Sequence, residues 1–201
     1  HIHRQMNNLK FILMKYPKIY VGPMSKNIVD AIKEFSDKTG NKIGLIPSRR
    51  QVEYNGGYVN NWKTKDFSKY AKNLFLTRDH AGPNQGYNDD DGFKSLKNDC
   101  KYFNMIHIDP WKKYPSFDKG LEWTAKMIKY CHSINPELEY EVGTEESIKK
   151  FSAEDLDVFL FTLKKFLTTQ QFNKIKYIVV QSGTSLKGNK NTGKYDKDRL
   201  K

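Results

Sequence analysis

The strongest constraint on the fold is an alternation: short apolar runs of strand length take turns with segments whose apolar residues recur at helical spacing. The strand-like runs are 18–24 (KIYVGPM), 42–47 (KIGLIP), 74–77 (LFLT), 104–109 (NMIHID), 138–143 (LEYEVG) and 176–181 (KYIVVQ). Between them, helices are predicted over about 26–39, from 64, near 89–102, over about 119–133, and from the Ser152-Ala153-Glu154-Asp155 capping box. Their apolar faces carry Ile28, Ile32 and Phe35; Phe67, Tyr70 and Ala71; Phe93, Leu96 and Cys100; Leu121, Ala125 and Ile128; and Leu156, Leu160, Leu163 and Leu167. Ser25 and Thr64 are candidate N-caps, and Gly40 is a candidate C-cap. Strands that alternate with helices pair in parallel through right-handed crossovers, so the class is α/β. Two architectures fit: an open doubly wound sheet, or six units of an eight-unit barrel. The first lacks a G-x-G-x-x-G after its first strand, and the second is short of the roughly 250 residues typical of such barrels.

Composition narrows the function classes. The chain has 201 residues, enough for one domain with a sizeable core, and 12 Tyr plus 12 Phe argue against wholesale disorder. No apolar run approaches the roughly 20 residues of a membrane span. The first residues lack the apolar core of a signal peptide, so residues 1–17 read as an N-terminal extension or a tag remnant. Cys100 and Cys131 form neither a disulfide framework nor a CxxC site, which makes a reducing cytoplasm the default location. A net charge of +12 suits anionic partners, nucleic acid included, but the lysines are scattered and no nucleic-acid-binding module is present. The one dense basic run, Lys187–Lys194, is mixed with Gly and Asn and reads as a flexible loop, within a polar stretch that runs to Asp196.

The chemistry-bearing residues gather at strand exits, where α/β folds bind ligands. In LFLTRDHAGPN the strand pattern stops at Arg78-Asp79-His80 and turns at Ala81-Gly82-Pro83-Asn84. The other exits offer Arg49, Arg50 and Gln51; His107 and Asp109; Glu139 and Glu141; and Gln181 and Ser182. Residues two apart share a face, so His107 points with Asp109 and Glu139 with Glu141. Inward-facing carboxylates require a metal, a substrate or a basic partner. One imidazole with two or three carboxylates suits Zn²⁺, Mn²⁺ or Mg²⁺. The plainer alternatives are a capping Asp with a surface His, and glutamates that face outward to pair with lysines.

Several motifs, in order, resemble a known family. Gln51-Val52 with Gly56-Gly57-Tyr58, Asp79-His80 with Gly82-Pro83-Asn84, Ile106-His107-Ile108-Asp109, Val142-Gly143-Thr144-Glu145, and Ile178-Val179-Val180-Gln181 with Gly183 follow one another within a domain taken as roughly residues 18–200. Together they resemble the class II tagatose-bisphosphate aldolases, most closely their accessory, so-called non-catalytic Z-type subunit. The resemblance implies a TIM-barrel domain over 18–201 with its C-terminal units missing. It implies carbohydrate metabolism and lyase chemistry on a phosphorylated or acidic sugar. Asp79 is then the acid–base residue, with Glu141 a second candidate for moving the proton. His80, Asp109 and Glu141 hold a divalent metal, Zn²⁺ first. Apart from the family pattern, Arg49 and Arg50 are expected to hold the substrate's phosphate or carboxylate through charge-assisted contacts, and Asn84, Gln181 and Ser182 are further candidates to bind substrate. It equally allows a non-enzymatic subunit that supports a catalytic aldolase partner, or a homo-oligomer. Arg49, Arg50 and Pro110-Trp111 depart from the family pattern, and the chain ends after the sixth strand. The expectation is therefore a truncated piece or a divergent branch, with weak metal binding and negligible aldol cleavage on its own.

Overall fold

Six short strands lie side by side in sequence order and all run parallel: β1 (Ile19–Val21), β2 (Ile43–Leu45), β3 (Phe75–Ala81), β4 (Met105–Ile108), β5 (Glu139–Val142) and β6 (Ile175–Ile178). The computed structural model describes residues 16–188 and 190–200. Helices cover the outer face: α1 (Lys26–Thr39), α2 (Thr64–Tyr70), α3 (Phe93–Tyr102), α4 (Phe117–Ile134), α5 (Ala153–Phe166) and the short α6 (Thr169–Asn173). The sheet curls into an incomplete barrel: the strand order β1-β2-β3-β4-β5-β6 never reverses, which sets it apart from a doubly wound sheet and keeps the helices on one face.

The helices start and stop where local chemistry dictates. Gly40 ends α1 at φ 69°, donating its N–H to Ser36 O, a left-handed cap that glycine adopts without strain. Ser152 and Asp155 form the reciprocal capping box of α5, and Thr168 with Gln171 repeats it at α6. Three boundaries differ from the sequence reading. The cap of α2 is Lys63, with Thr64 already helical. The helix expected near 89 begins at Phe93, because the Asp90 and Asp91 carboxylates accept the N–H groups of Gly92 and Phe93 and hold 90–92 as turns. The polar stretch read as a flexible loop is an antiparallel hairpin, β7 (Thr184–Lys187) with β8 (Lys190–Gly193). Its strands lack apolar alternation, so periodicity gave no sign of them.

Burial divides the sheet by face. The outer face carries two apolar clusters. One joins Ile106, Ile108, Tyr140 and Val142 to Leu96, Leu121, Ala125, Ile128, Phe159 and Leu163. The other joins Leu45 and Leu76 to Val29, Ile32 and Phe67. Phe35, placed on the apolar face of α1 by spacing, is exposed, and Val29 takes its place in the core. The inner face is polar and aromatic. Glu139 faces inward and accepts from the Tyr16 hydroxyl at 2.7 Å, and Tyr16 packs edge-on against Phe75 and Tyr177. Tyr16 falls inside the span assigned to an N-terminal extension, yet it packs within the barrel.

Two features hold the site-bearing strands. Arg78 on β3 is fully buried and reaches outward to Asp99 of α3 through two bonds of 3.0 and 2.8 Å. It also donates to Pro47 O, and its guanidinium lies 4.7 Å from the Phe103 ring centroid. Trp111, just past β4, is likewise buried, edge-on to Phe151 and packed on Phe159. It fits because Gly120 on α4 has no side chain: a Cβ there would lie 2.2 Å from the indole. Ala favours a helix over Gly by about 1 kcal/mol, whereas overpacking costs about 1–3 kcal/mol. The overpacking term is the larger, so Gly120→Ala is expected to lower stability by up to about 2 kcal/mol in a urea titration. An unchanged or raised midpoint would show that the indole gives way.

Candidate functional site

The strand β3 does not stop at Arg78; it runs on through Asp79 and His80 to Ala81 with a bulge. His80 sits at φ +43°, a left-handed conformation costly for a residue with a side chain. In a regular strand Asp79 and His80 would point to opposite faces. The irregularity between Arg78 and Ala81 breaks that alternation, and both side chains reach one cluster. Across from them, His107 on β4 completes it: one ligand-type atom each from Asp79, His80 and His107 lies within 4.8 Å of the others. The His80 and His107 rings are 4.8 Å apart.

Hydrogen bonds fix which nitrogen each ring presents. The His80 Nδ1–H donates to Asp109 Oδ2 at 2.6 Å, leaving Nε2 to face Asp79 Oδ1 at 3.4 Å. The His107 Nε2–H donates to Gly143 O at 3.0 Å, because a carbonyl can only accept, leaving Nδ1 for the cluster. Asp109 is buried and also accepts from Thr144 Oγ1 and the Trp111 N–H, both at 3.2 Å. A carboxylate that orients an imidazole from behind is the usual support of a metal-ligating histidine. Burial alone would lower the His80 pKa; the bond to Asp109 and the charges of Asp79, Asp109 and Glu145 outweigh it and push the pKa up to about 9. Its neighbours thus favour a positive charge on the His80 ring.

The other sequence-derived residues divide between bracing and lining. Arg49 is buried and spans Glu53 (2.7 Å), both oxygens of Asp90 (2.9 and 2.6 Å) and Gly82 O (2.8 Å), so its guanidinium braces the loop after β3. Gly82 in that loop has φ +147°, and a Cβ there would meet Asp109 O at 2.7 Å. Arg50 is exposed. Asn84 has a left-handed backbone at φ 59°, and its buried Oδ1 has no partner among the described residues. Gln181 is buried, accepting from Phe151 N and Arg199 Nη2 and donating to Thr144 O and Lys149 O. Ser182 bonds Thr184 and lines a shallow groove with Glu145, Glu146 and Asn191. Glu141 faces inward beside His107 in register and borders a cavity with Tyr20 and Tyr177. Of the expected metal ligands, His80 lies in the cluster, Asp109 stands behind His80, and Glu141 lines the lumen.

No protein-family model matches the sequence, and a search of curated proteins finds no relative. The fold does have a likeness. The chain superposes on the crystal structure of a probable tagatose 6 phosphate kinase from Sinorhizobium meliloti 1021 with a TM-score of 0.70 at 16% identity. The match covers 92% of this chain and 54% of that one, so the chain spans about half that protein's length. At this identity the likeness shows a shared α/β barrel-like fold. No helix among the described residues is long and apolar enough to cross a membrane.

The raised His80 pKa predicts a pH dependence. A group whose pKa rises on folding contributes stability that is full below its unfolded pKa, roughly 6.5, and lost as pH rises through the folded value of about 9. Thermal melts of the metal-free chain should therefore show a steeper loss between pH 7 and 10 than those of His80→Asn, a residue that tolerates the left-handed backbone. Parallel pH profiles would contradict the assignment.

Proposed function

We propose that this chain is a divalent-metal-dependent, class II aldolase-like protein acting on a phosphorylated or acidic sugar, with Zn²⁺ as the favoured ion. The single observation that supports the reading is the convergence of Asp79, His80 and His107 within 4.8 Å, with each imidazole already oriented by a bond from its other nitrogen. Two imidazoles and a carboxylate are a sound catalytic donor set, because three protein ligands leave room for substrate. A divalent ion held there would supply Lewis-acid polarisation of a substrate oxygen. The chain's own residues do the rest. Asp79, about one-third exposed, reaches solvent and the cluster together, so its carboxylate would join the two imidazoles around the ion, and the inward Glu141, in register with His107, is then the carboxylate that can take a proton from a bound hydroxyl. Asp109 and Thr144 keep the His80 ring in place, while Gly143 O does the same for His107.

A sugar-phosphate substrate is consistent with the motif resemblance and with the printed name of the structural neighbour, a probable tagatose 6 phosphate kinase. One observation favours a second reading, the accessory subunit: the Arg49 guanidinium is taken up by Glu53, Asp90 and Gly82 and is not offered to a phosphate.

Calorimetric titration of the chain with Zn²⁺ and Mn²⁺, followed by a retro-aldol assay on ketose phosphates, tests the proposal. His80→Asn and His107→Gln should abolish binding, and Asp109→Asn should weaken it about 10–100-fold through loss of the orienting bond. Metal affinity indifferent to all three would sink the metal reading. Metal binding without cleavage, restored by an aldolase partner, would favour the accessory subunit.

A further inference from the structure

Beneath the cluster, one layer toward the strands' N-terminal ends, the lumen holds a cavity of about 270 Å³. Every strand contributes to its wall: Tyr20 from β1, Ile46 just past β2, Thr77 from β3, Met105 from β4, Glu141 from β5 and Tyr177 from β6. At ~30 Å³ per water, this is room for roughly nine water molecules. Thr77 is 1% exposed, and its Oγ1 has no hydrogen-bond partner among the described residues. The Tyr20 hydroxyl is also buried, with the Tyr177 hydroxyl as its electrostatic neighbour, and no group among the described residues meets it at full bonding geometry. Buried hydroxyls are almost always satisfied, so two orphans on one cavity wall point to something that enters it.

The wall chemistry selects the guest. No Lys or Arg among the described residues lines the cavity, and the Glu141 carboxylate would repel a phosphate. A purely apolar guest would leave both hydroxyls and the carboxylate unpaired. A neutral chain bearing hydroxyls meets every requirement: its O–H groups can pair with Thr77, Tyr20, Tyr177 and Glu141, and its C–H faces can rest on Ile46 and Met105. Thr77 lies two residues before Asp79, and Met105 two before His107, so the cavity continues directly below the cluster.

We infer that this lumen cavity receives the hydroxyl-bearing carbon chain of a sugar phosphate, while the reacting end stays at Asp79, His80 and His107. The assignment rests on the proposed function and adds an orientation: sugar chain inward, phosphate toward the mouth. It also predicts selection by chain length, because a three-carbon substrate cannot reach down to Thr77.

The test uses the full chain with Zn²⁺, labelled at Met and Ile methyl groups, and two probes: dihydroxyacetone phosphate and a ketohexose 1-phosphate, whose phosphate sits beside the carbonyl and leaves its hydroxyl-bearing chain free to enter the lumen. The six-carbon probe should shift the Met105 and Ile46 methyl signals, whereas the three-carbon probe should leave them in place. Thr77→Val and Tyr20→Phe remove only orphan hydroxyls, so thermal stability should hold or rise. Each should weaken the six-carbon probe about tenfold and leave the three-carbon probe within about twofold. Unmoved methyl signals at saturation, equal losses for both probes, or no binding of the six-carbon probe would overturn the inference. Zn²⁺ affinity, measured alone, reports separately on the site above: Zn²⁺ that binds while the methyl signals stay fixed defeats the inference and spares the proposed function.

Discussion

The buried pair of Arg78 and Asp99 is the interaction on which the rest of the site depends. Neither side chain is exposed, and Arg78 also ties β3 to the exit of β2 through Pro47 O. Burial pushes the Asp99 carboxyl up, against the pull of Arg78, so the pair contributes little net stability. Removing one partner, however, would strand a charge in the core at a cost of about 3–5 kcal/mol. The pair therefore acts as a register pin. With Arg78 held outward, the bulge that follows turns both Asp79 and His80 toward His107. Strain at the left-handed His80 persists because its ring is tethered at the far side by Asp109.

The two faces of the sheet follow different chemistry, and the candidate site falls on one of them. The outer face is apolar and continuous with α3, α4 and α5, which supplies the burial that stabilises the fold. The inner face carries Glu139, Glu141, His107, Thr77 and three tyrosines, groups that cost free energy to enclose unless something bonds to them. Tyr16 satisfies Glu139 at the lower end. Higher up, the orphan hydroxyls and the cluster of Asp79, His80 and His107 remain for a ligand.

Much of this was legible in the sequence. The period-2 argument rightly put His107 and Asp109, and Glu139 and Glu141, on one face, and the strand–helix alternation gave the parallel order. What stayed hidden was backbone-specific. No periodicity announces a bulge, so LFLTRDHA reads as a strand over 74–77 when the strand runs from Phe75 to Ala81. The expected ligand set omits His107, because the bond that orients its ring goes to Gly143 O, 36 residues away in sequence. Arg49 looked like an anion clamp, and only the fold brings Asp90 across to occupy it. The β7–β8 hairpin carries no apolar signal at all.

The central claim is that β3 and β4 build a cation site from Asp79, His80 and His107. Anomalous diffraction from crystals soaked in Zn²⁺, collected above and below the metal edge, tests it most directly. The account predicts one strong peak bounded by an Asp79 oxygen, His80 Nε2 and His107 Nδ1, with the His80–Asp109 bond intact. A peak bounded instead by Asp109 and Glu141, or a cluster without a peak at saturating Zn²⁺, would contradict it.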